Sequence, residues 1–234
     1  MLLEAVFNVF VSQRTGKNND VRPRSGLSSG DFDISLREIE NGQIMSDIEI
    51  DPPLSDFFRQ SSIALALARA SDDHQLVLVN QQFCTLTGYS SDDVIDRNCR
   101  FLQTNSEGRS AENSEPREKL RAFLTGSAKT VRTPIVNFRK DGTPFVNLLF
   151  MSKLLGGNNK PRYIFASQFD ISRSHPDLLQ TYDRQLGDVI AKLKPLLQPH
   201  EVVLEGSLAT IANSATTIAQ AKVTLAELER DFPY

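Results

Sequence analysis

The sequence predicts an α+β fold: a five-stranded antiparallel sheet with short helices on one face, an N-terminal cap and a C-terminal helical extension. Three observations carry this. Apolar runs of strand length come as two, then three, with short helix-like segments between the groups. Ten of the 14 phenylalanines fall between residues 55 and 171. After residue 171 the apolar positions change to steps of three and four, the period of a helix.

Taken in order, residues 1–12 are apolar, with Glu4 and no basic residue before Arg14, which makes a poor signal peptide. Residues 13–30 are polar and rich in Gly, Ser and Asn, the composition of a tether. Residues 31–53 alternate short apolar and acidic positions and stop at Pro52-Pro53. The reading is an N-terminal extension with a cap over 1–54, a core over 55–171 and a two-helix extension over 172–234.

Within the core, IALALA at 63–68 and LVLV at 76–79 flank the turn-like ASDDHQ and read as a hairpin. Helices are expected over 81–87, 91–95 and 118–124, the second capped by Ser90 or Ser91 ahead of Asp92-Asp93. Strands are expected over 133–139, 143–154 and 162–171. Lys140-Asp141-Gly142 turns the chain between the first two, and Gly156-Gly157-Asn158-Asn159 between the second and third. In the extension, Leu179, Tyr182, Leu186, Val189, Leu193 and Leu196 form one stripe, which Pro195 should kink or end. A second helix over 201–230 carries Leu204, Leu208, Ile211, Ala215, Ile218, Lys222 and Leu225. Apolar stripes without a domain of their own predict a homodimer; a helical hairpin folded onto the sheet of the same chain is the competing arrangement.

Composition narrows the function. Lys and Arg number 26 against 29 Asp and Glu, a net charge of −3, and Lys222 is the only cation between Glu201 and Arg230. Nucleic-acid binding is therefore not expected. Cys84 and Cys99 cannot build a disulfide framework, which points to a reducing, cytoplasmic setting. No apolar run nears the roughly 18 residues of a membrane span.

The most specific string is Asn98-Cys99-Arg100-Phe101-Leu102-Gln103. It sets a thiol between an amide and a guanidinium, although most lone cysteines are inert core residues, as Cys84 is read to be. Asn137 and Asn147 are ten residues apart around Gly142, which puts two carboxamides on one face of paired strands. Gln168 shares its face with Ile164 and Ala166, where a small side chain leaves room for a flat ligand. His74 and His175 have no neighbours at metal-ligand spacing, and no metal site is expected.

The hexapeptide resembles the signature of LOV (light–oxygen–voltage) domains, the flavin-binding, blue-light-sensing branch of the PAS superfamily. Leu86-Thr87-Gly88-Tyr89 upstream, and Asn137, Asn147 and Gln168 downstream, extend the resemblance over about residues 57–171. It implies non-covalent binding of FMN, with FAD the less favoured form, and a reversible cysteinyl adduct at flavin C4a in blue light. Cys99 is the implied nucleophile and Gln168 the switch that hydrogen-bonds flavin N5/O4. Asn98, Gln103, Asn137, Asn147, Leu102 and Leu149 are the implied contacts to ring and ribityl chain. Arg100 and Arg121 are the implied phosphate ligands, with Arg117 as the alternative to Arg121. Where many members carry Thr on the first strand, this chain has Ala68. The closest resemblance is to bacterial short LOV proteins, which have helical flanks, no effector domain and no enzymatic activity of their own, so the downstream signalling partner is unknown. A light-independent flavin redox sensor and a flavin-free sensory PAS module are the alternatives.

Overall fold

The computed structural model describes residues 52–71, 73–108, 110–172 and 176–204, together with Ala219, Val223, Ala226, Glu227 and Arg230. All belong to one unit running from Ser46 to Tyr234. The expectations for the apolar segment 1–12, the tether 13–30, the segment 31–51, His175 and most of the second helix lie outside the described residues. The five residues named singly are helical and exposed.

The core is the expected antiparallel sheet. β1 (Ala64–Arg69) and β2 (Leu76–Val79) form the hairpin. α2 (Gln81–Thr87), α3 (Ser91–Val94), a 3₁₀ turn (Cys99–Gln103) and α4 (Ser114–Thr125) follow. β3 (Thr130–Phe138), β4 (Pro144–Leu155) and β5 (Pro161–Asp170) complete a sheet ordered β2-β1-β5-β4-β3. Ser90 caps α3 in a reciprocal capping box with Asp93. Gly142 takes φ +87° in the β3–β4 turn, where a Cβ would be strained. In the β4–β5 turn the left-handed residue is Asn159, at φ +61°, and the two glycines are not.

Strand alternation divides the sheet into two faces. Even positions of β1 and β5 and odd positions of β3 and β4 face the short helices. The opposite set, including Leu65, Val136, Leu148 and Phe165, faces two further helices, α1 (Pro52–Gln60) and α5 (Pro176–Leu197). Both faces are therefore covered, the first by the short helices as expected and the second by α1 and the C-terminal helix α5. Leu54 and Phe58 of α1 are buried there, with Phe58 edge-on to Phe165 at 6.3 Å.

Four expectations change in detail. Pro52-Pro53 opens α1 instead of stopping the preceding segment, because proline tolerates the first turn of a helix, where its missing N–H has no partner to lose. The boundary drawn at 54/55 thus falls inside a helix. α4 begins at Ser114, four residues early, for the same reason: Pro116 stands in its first turn. The preceding residue, Asn113, is buried and pairs with both backbone groups of Val136, at 2.9 and 3.0 Å, tying the helix start to β3. α5 runs through Pro195 to Leu197; Pro195 and Ala191, whose carbonyl loses its donor, are both exposed to water.

The second helix does not begin at 201. Glu201 adopts φ +54° and closes a 3₁₀ turn, and Val203–Leu204 becomes β6, paired with Leu154 and Leu155 of β4 beyond the start of β3.

The first stripe needs no second copy to cover it. Leu179, Tyr182, Leu186, Val189 and Leu193 are all buried against the sheet of their own chain. Leu197 is buried in place of Leu196, which is half-buried. Each such side chain contributes roughly 1.5–3 kcal/mol. For this first helix the packing is intramolecular, which removes these residues from the case for a dimer.

One polar side chain joins three elements. Asn80, buried, accepts from Leu65 N at 2.9 Å and Phe83 N at 3.0 Å, and donates to Ile63 O at 2.8 Å and Phe58 O at 3.2 Å. It caps α2 while holding α1 and β1. Asn80→Ala leaves these backbone groups unpaired away from water and should cost about 2–4 kcal/mol in urea unfolding. A loss under about 1 kcal/mol would show that the clasp carries little.

Candidate functional site

A cavity of about 420 Å³ lies between the sheet and the short helices, within the usual size of a small-molecule site. Its floor is made by strands whose inward positions are small or apolar: Ala66 and Ala68 of β1, Ile164 and Ala166 of β5, Ile135 of β3, and Leu149 and Met151 of β4. The helical wall is the 3₁₀ turn with Leu120 and Leu124 of α4. All the site residues drawn from the sequence line this one space: Asn98, Cys99, Arg100, Leu102, Gln103, Arg121, Asn137, Asn147, Leu149 and Gln168, and the alternative Arg117.

Three carboxamides come from the sheet. Asn137 pairs across the ladder with Phe145, and Asn147 with Ile135, so the asparagines are diagonal neighbours instead of direct partners. They still share a face, and Asn147 donates to Asn137 Oδ1 at 2.9 Å. Asn137 in turn donates to Val136 O, and Phe169 N donates to Asn147 Oδ1 at 3.3 Å. Gln168 lies opposite Leu149 and is 3% exposed. Its Oε1 is buried with no hydrogen-bond partner. Such an orphaned acceptor is costly in a finished core, and it fits a site whose remaining donor comes from a ligand.

The helical side supplies charge. Arg100, Arg117 and Arg121 line the cavity, and among the described residues no carboxylate does, so the lining favours an anionic group. Gln103 Oε1 accepts from Arg117 Nε at 2.8 Å, which holds Arg117 in place. Arg100 is largely exposed and pairs with Asp73 of the β1–β2 turn, and Asn98 donates to the Asp73 carbonyl. Asn98 also caps the 3₁₀ turn by accepting from Arg100 N at 2.9 Å.

Cys99 opens that turn and is half-buried. Desolvation pushes its thiol up to about 12, so at neutral pH it is the protonated thiol. Cys84 does not line the cavity; it packs, partly buried, into the cluster of Phe83, Val94 and Leu102.

The sequence reading passed over several lining residues, Ala66 and Leu76 of the β1–β2 hairpin among them. Leu120, Leu124 and Thr125 follow from Arg117 and Arg121 by helical spacing once α4 is started at its true beginning. Met151 follows from Asn147 and Leu149 by strand alternation. His74 has no such signal: it reaches the cavity from a turn in which it takes φ +52°.

A family profile described as a PAS domain matches residues 62–173. The chain is 32% identical over 154 residues to blue-light-activated histidine kinase 1 of Erythrobacter litoralis, covering 63% of this chain and 40% of that one. It is 38% identical over 128 residues to blue-light-activated histidine kinase 2 of the same organism, covering 53% and 35%. The chain thus spans well under half the length of these relatives. Among solved structures, the LOV protein of Rhodobacter sphaeroides is similar, with a TM-score of 0.54 and 25% identity over 76% of this chain and 95% of that one. These likenesses place residues 62–173 in the LOV branch of the PAS domain family.

Proposed function

We propose that this chain is a blue-light photoreceptor that holds FMN in the cavity and uses Cys99 as its photochemical nucleophile. The observation that carries this reading is the convergence of one thiol, five carboxamides and three arginines on a single largely apolar space. Bound there, a flavin would supply blue absorption and, once excited, an electrophilic ring position for the Cys99 thiol. Asn137 and Asn147 offer donors and acceptors to a pyrimidine edge, and Leu102 and Leu149 pack against the flat ring. Asn98 and Gln103 hold the ring or its ribityl chain. Arg100 with Arg121 or Arg117 holds the phosphate. FMN accounts for these groups; FAD is the less favoured cofactor.

Gln168 is the switch. Its orphaned Oε1 can accept, and its amide nitrogen can donate, so rotation of the carboxamide answers a change in the ligand atom it faces. The chain is a sensor in this reading, and the kinase activity in its relatives' names is not assigned to it. A cytoplasmic location belongs to the same reading; no described helix is long and apolar enough to cross a membrane. The output passes to a signalling partner that the site does not identify. A homodimer rests on the second stripe, Leu208, Ile211, Ile218 and Leu225.

Three measurements test these points. Cys99→Ala should bind flavin and fluoresce but keep its blue absorption under illumination, while Cys84→Ala bleaches and recovers as the parent does. Bleaching and recovery in Cys99→Ala would overturn the assignment of the nucleophile.

A raised thiol pKa also suppresses the thiolate, the form that alkylating reagents attack. In Cys84→Ala freed of flavin, alkylation of Cys99 at neutral pH should run at least about a hundredfold slower than for a free cysteine. It should climb with pH towards about 12. Alkylation at the rate of a free cysteine would overturn this protonation state.

Scattering-detected size exclusion at tens of micromolar, in the dark and under blue light, should give a dimeric mass whose profile changes with light. A strictly monomeric mass in both states would reject the dimer.

A further inference from the structure

Gln168 faces the cavity, so its neighbours Ser167 and Phe169 face the opposite side of the sheet, towards α5. Both meet the same α5 residue. The Tyr182 hydroxyl lies 2.5 Å from Ser167 Oγ, and the Tyr182 ring stacks on Phe169 with centroids 4.5 Å apart and planes 15° from parallel. Tyr182 is 1% exposed and Ser167 is fully buried. Burial pushes the phenol up to about 12, so it keeps its proton at neutral pH. The next residue, Asp183, pairs with Arg132 of β3 at 2.5 Å, with side chains 16% and 6% exposed. On the cavity side, Phe169 N is bonded to Asn147.

We propose that Tyr182 is the positioning residue through which α5 senses the state of Gln168, gripping the strand on both sides of it through Ser167 and Phe169. The proposal rests on the photoreceptor reading above. In this proposal, rotation of the Gln168 carboxamide draws on the backbone it hangs from, and Ser167 and Phe169 move with it. A stacked ring tolerates a small slide. The short hydroxyl contact does not, because both groups are buried away from bulk solvent and a lost partner is costly there. The grip therefore has a made and an unmade state, the kind of two-state element that coupling between sites requires. The buried Arg132–Asp183 pair keeps this turn of α5 registered on the sheet while the hydroxyl contact opens or closes.

Hydrogen exchange of the full flavin-loaded chain, read by mass spectrometry in the dark and under blue light, tests this. In the parent, exchange over residues 176–197 should differ between the two states. Tyr182→Phe keeps the ring and its stack and removes only the hydroxyl. It should bleach to the same extent as the parent, yet the light–dark difference over 176–197 should fall at least threefold. Ser167→Ala should reproduce this, the double variant should fall no further, and Ser167→Thr, which keeps a hydroxyl, should restore the difference. A full difference in Tyr182→Phe, an unrestored one in Ser167→Thr, or a parent that bleaches with no change in α5 would each overturn the role of Tyr182. A parent that binds flavin but does not bleach would overturn the photoreceptor reading itself, and that result is visible in the absorption spectrum alone.

Discussion

The pleat of β5 is the constraint on which the molecule turns. Successive residues of a strand point to opposite faces, and β5 lies at the centre of the sheet between β1 and β4. Its even positions, Ile164, Ala166 and Gln168, belong to the cavity. Its odd positions, Phe165 and Ser167, belong to the core under α1 and α5, with Phe169 packed against it. Ligand space and helical cover are thus separated by the thickness of one backbone. Nothing has to travel far for a change on one face to be felt on the other.

The two faces are built by different chemistry. The outer face is packed with Leu, Phe, Val and Tyr and closed by two amphipathic helices. The inner face is deliberately unfilled: Ala66, Ala68 and Ala166 stand where larger side chains would close the space, and a glutamine oxygen there lacks a protein partner. A protein core of this kind is incomplete by its own standards, and a flat polar-edged ligand completes it. Desolvation at the same site holds the Cys99 thiol in its protonated form.

Much of this was legible in the sequence, and the misses have common causes. Strands announced themselves through alternation and turn residues, and the motif around Cys99 marked the wall of the cavity before any coordinates did. The missed helix starts were at proline: Pro52-Pro53 was read as an end and α4 was started two residues after Pro116, whereas both sites stand in first turns. The cover was misassigned because a stripe such as Leu179–Leu193 states that a surface will be buried, not whose. Packing on its own sheet and packing on another copy leave the same period in the sequence. β6 was invisible for a related reason: two residues carry no period, and the left-handed Glu201 that turns the chain towards β4 is not a residue type that advertises φ > 0. The partnerless oxygen of Gln168 and the grip of Tyr182 depend on distances between elements and leave no local signature at all.

The Asn80 clasp bears on what could be excised as a transplantable unit. The stretch that defines the family begins at residue 62, yet one of the amide's four partners is the carbonyl of Phe58, in the helix before it. Cut at the family boundary, the chain would lose that acceptor and strip Phe58 from the ring of Phe165, while the stripe of α5 would lie beyond the other cut. The portable module is therefore larger than the stretch the family profile matches: it starts with the proline pair of α1 and must carry α5 along with the sheet that α5 covers.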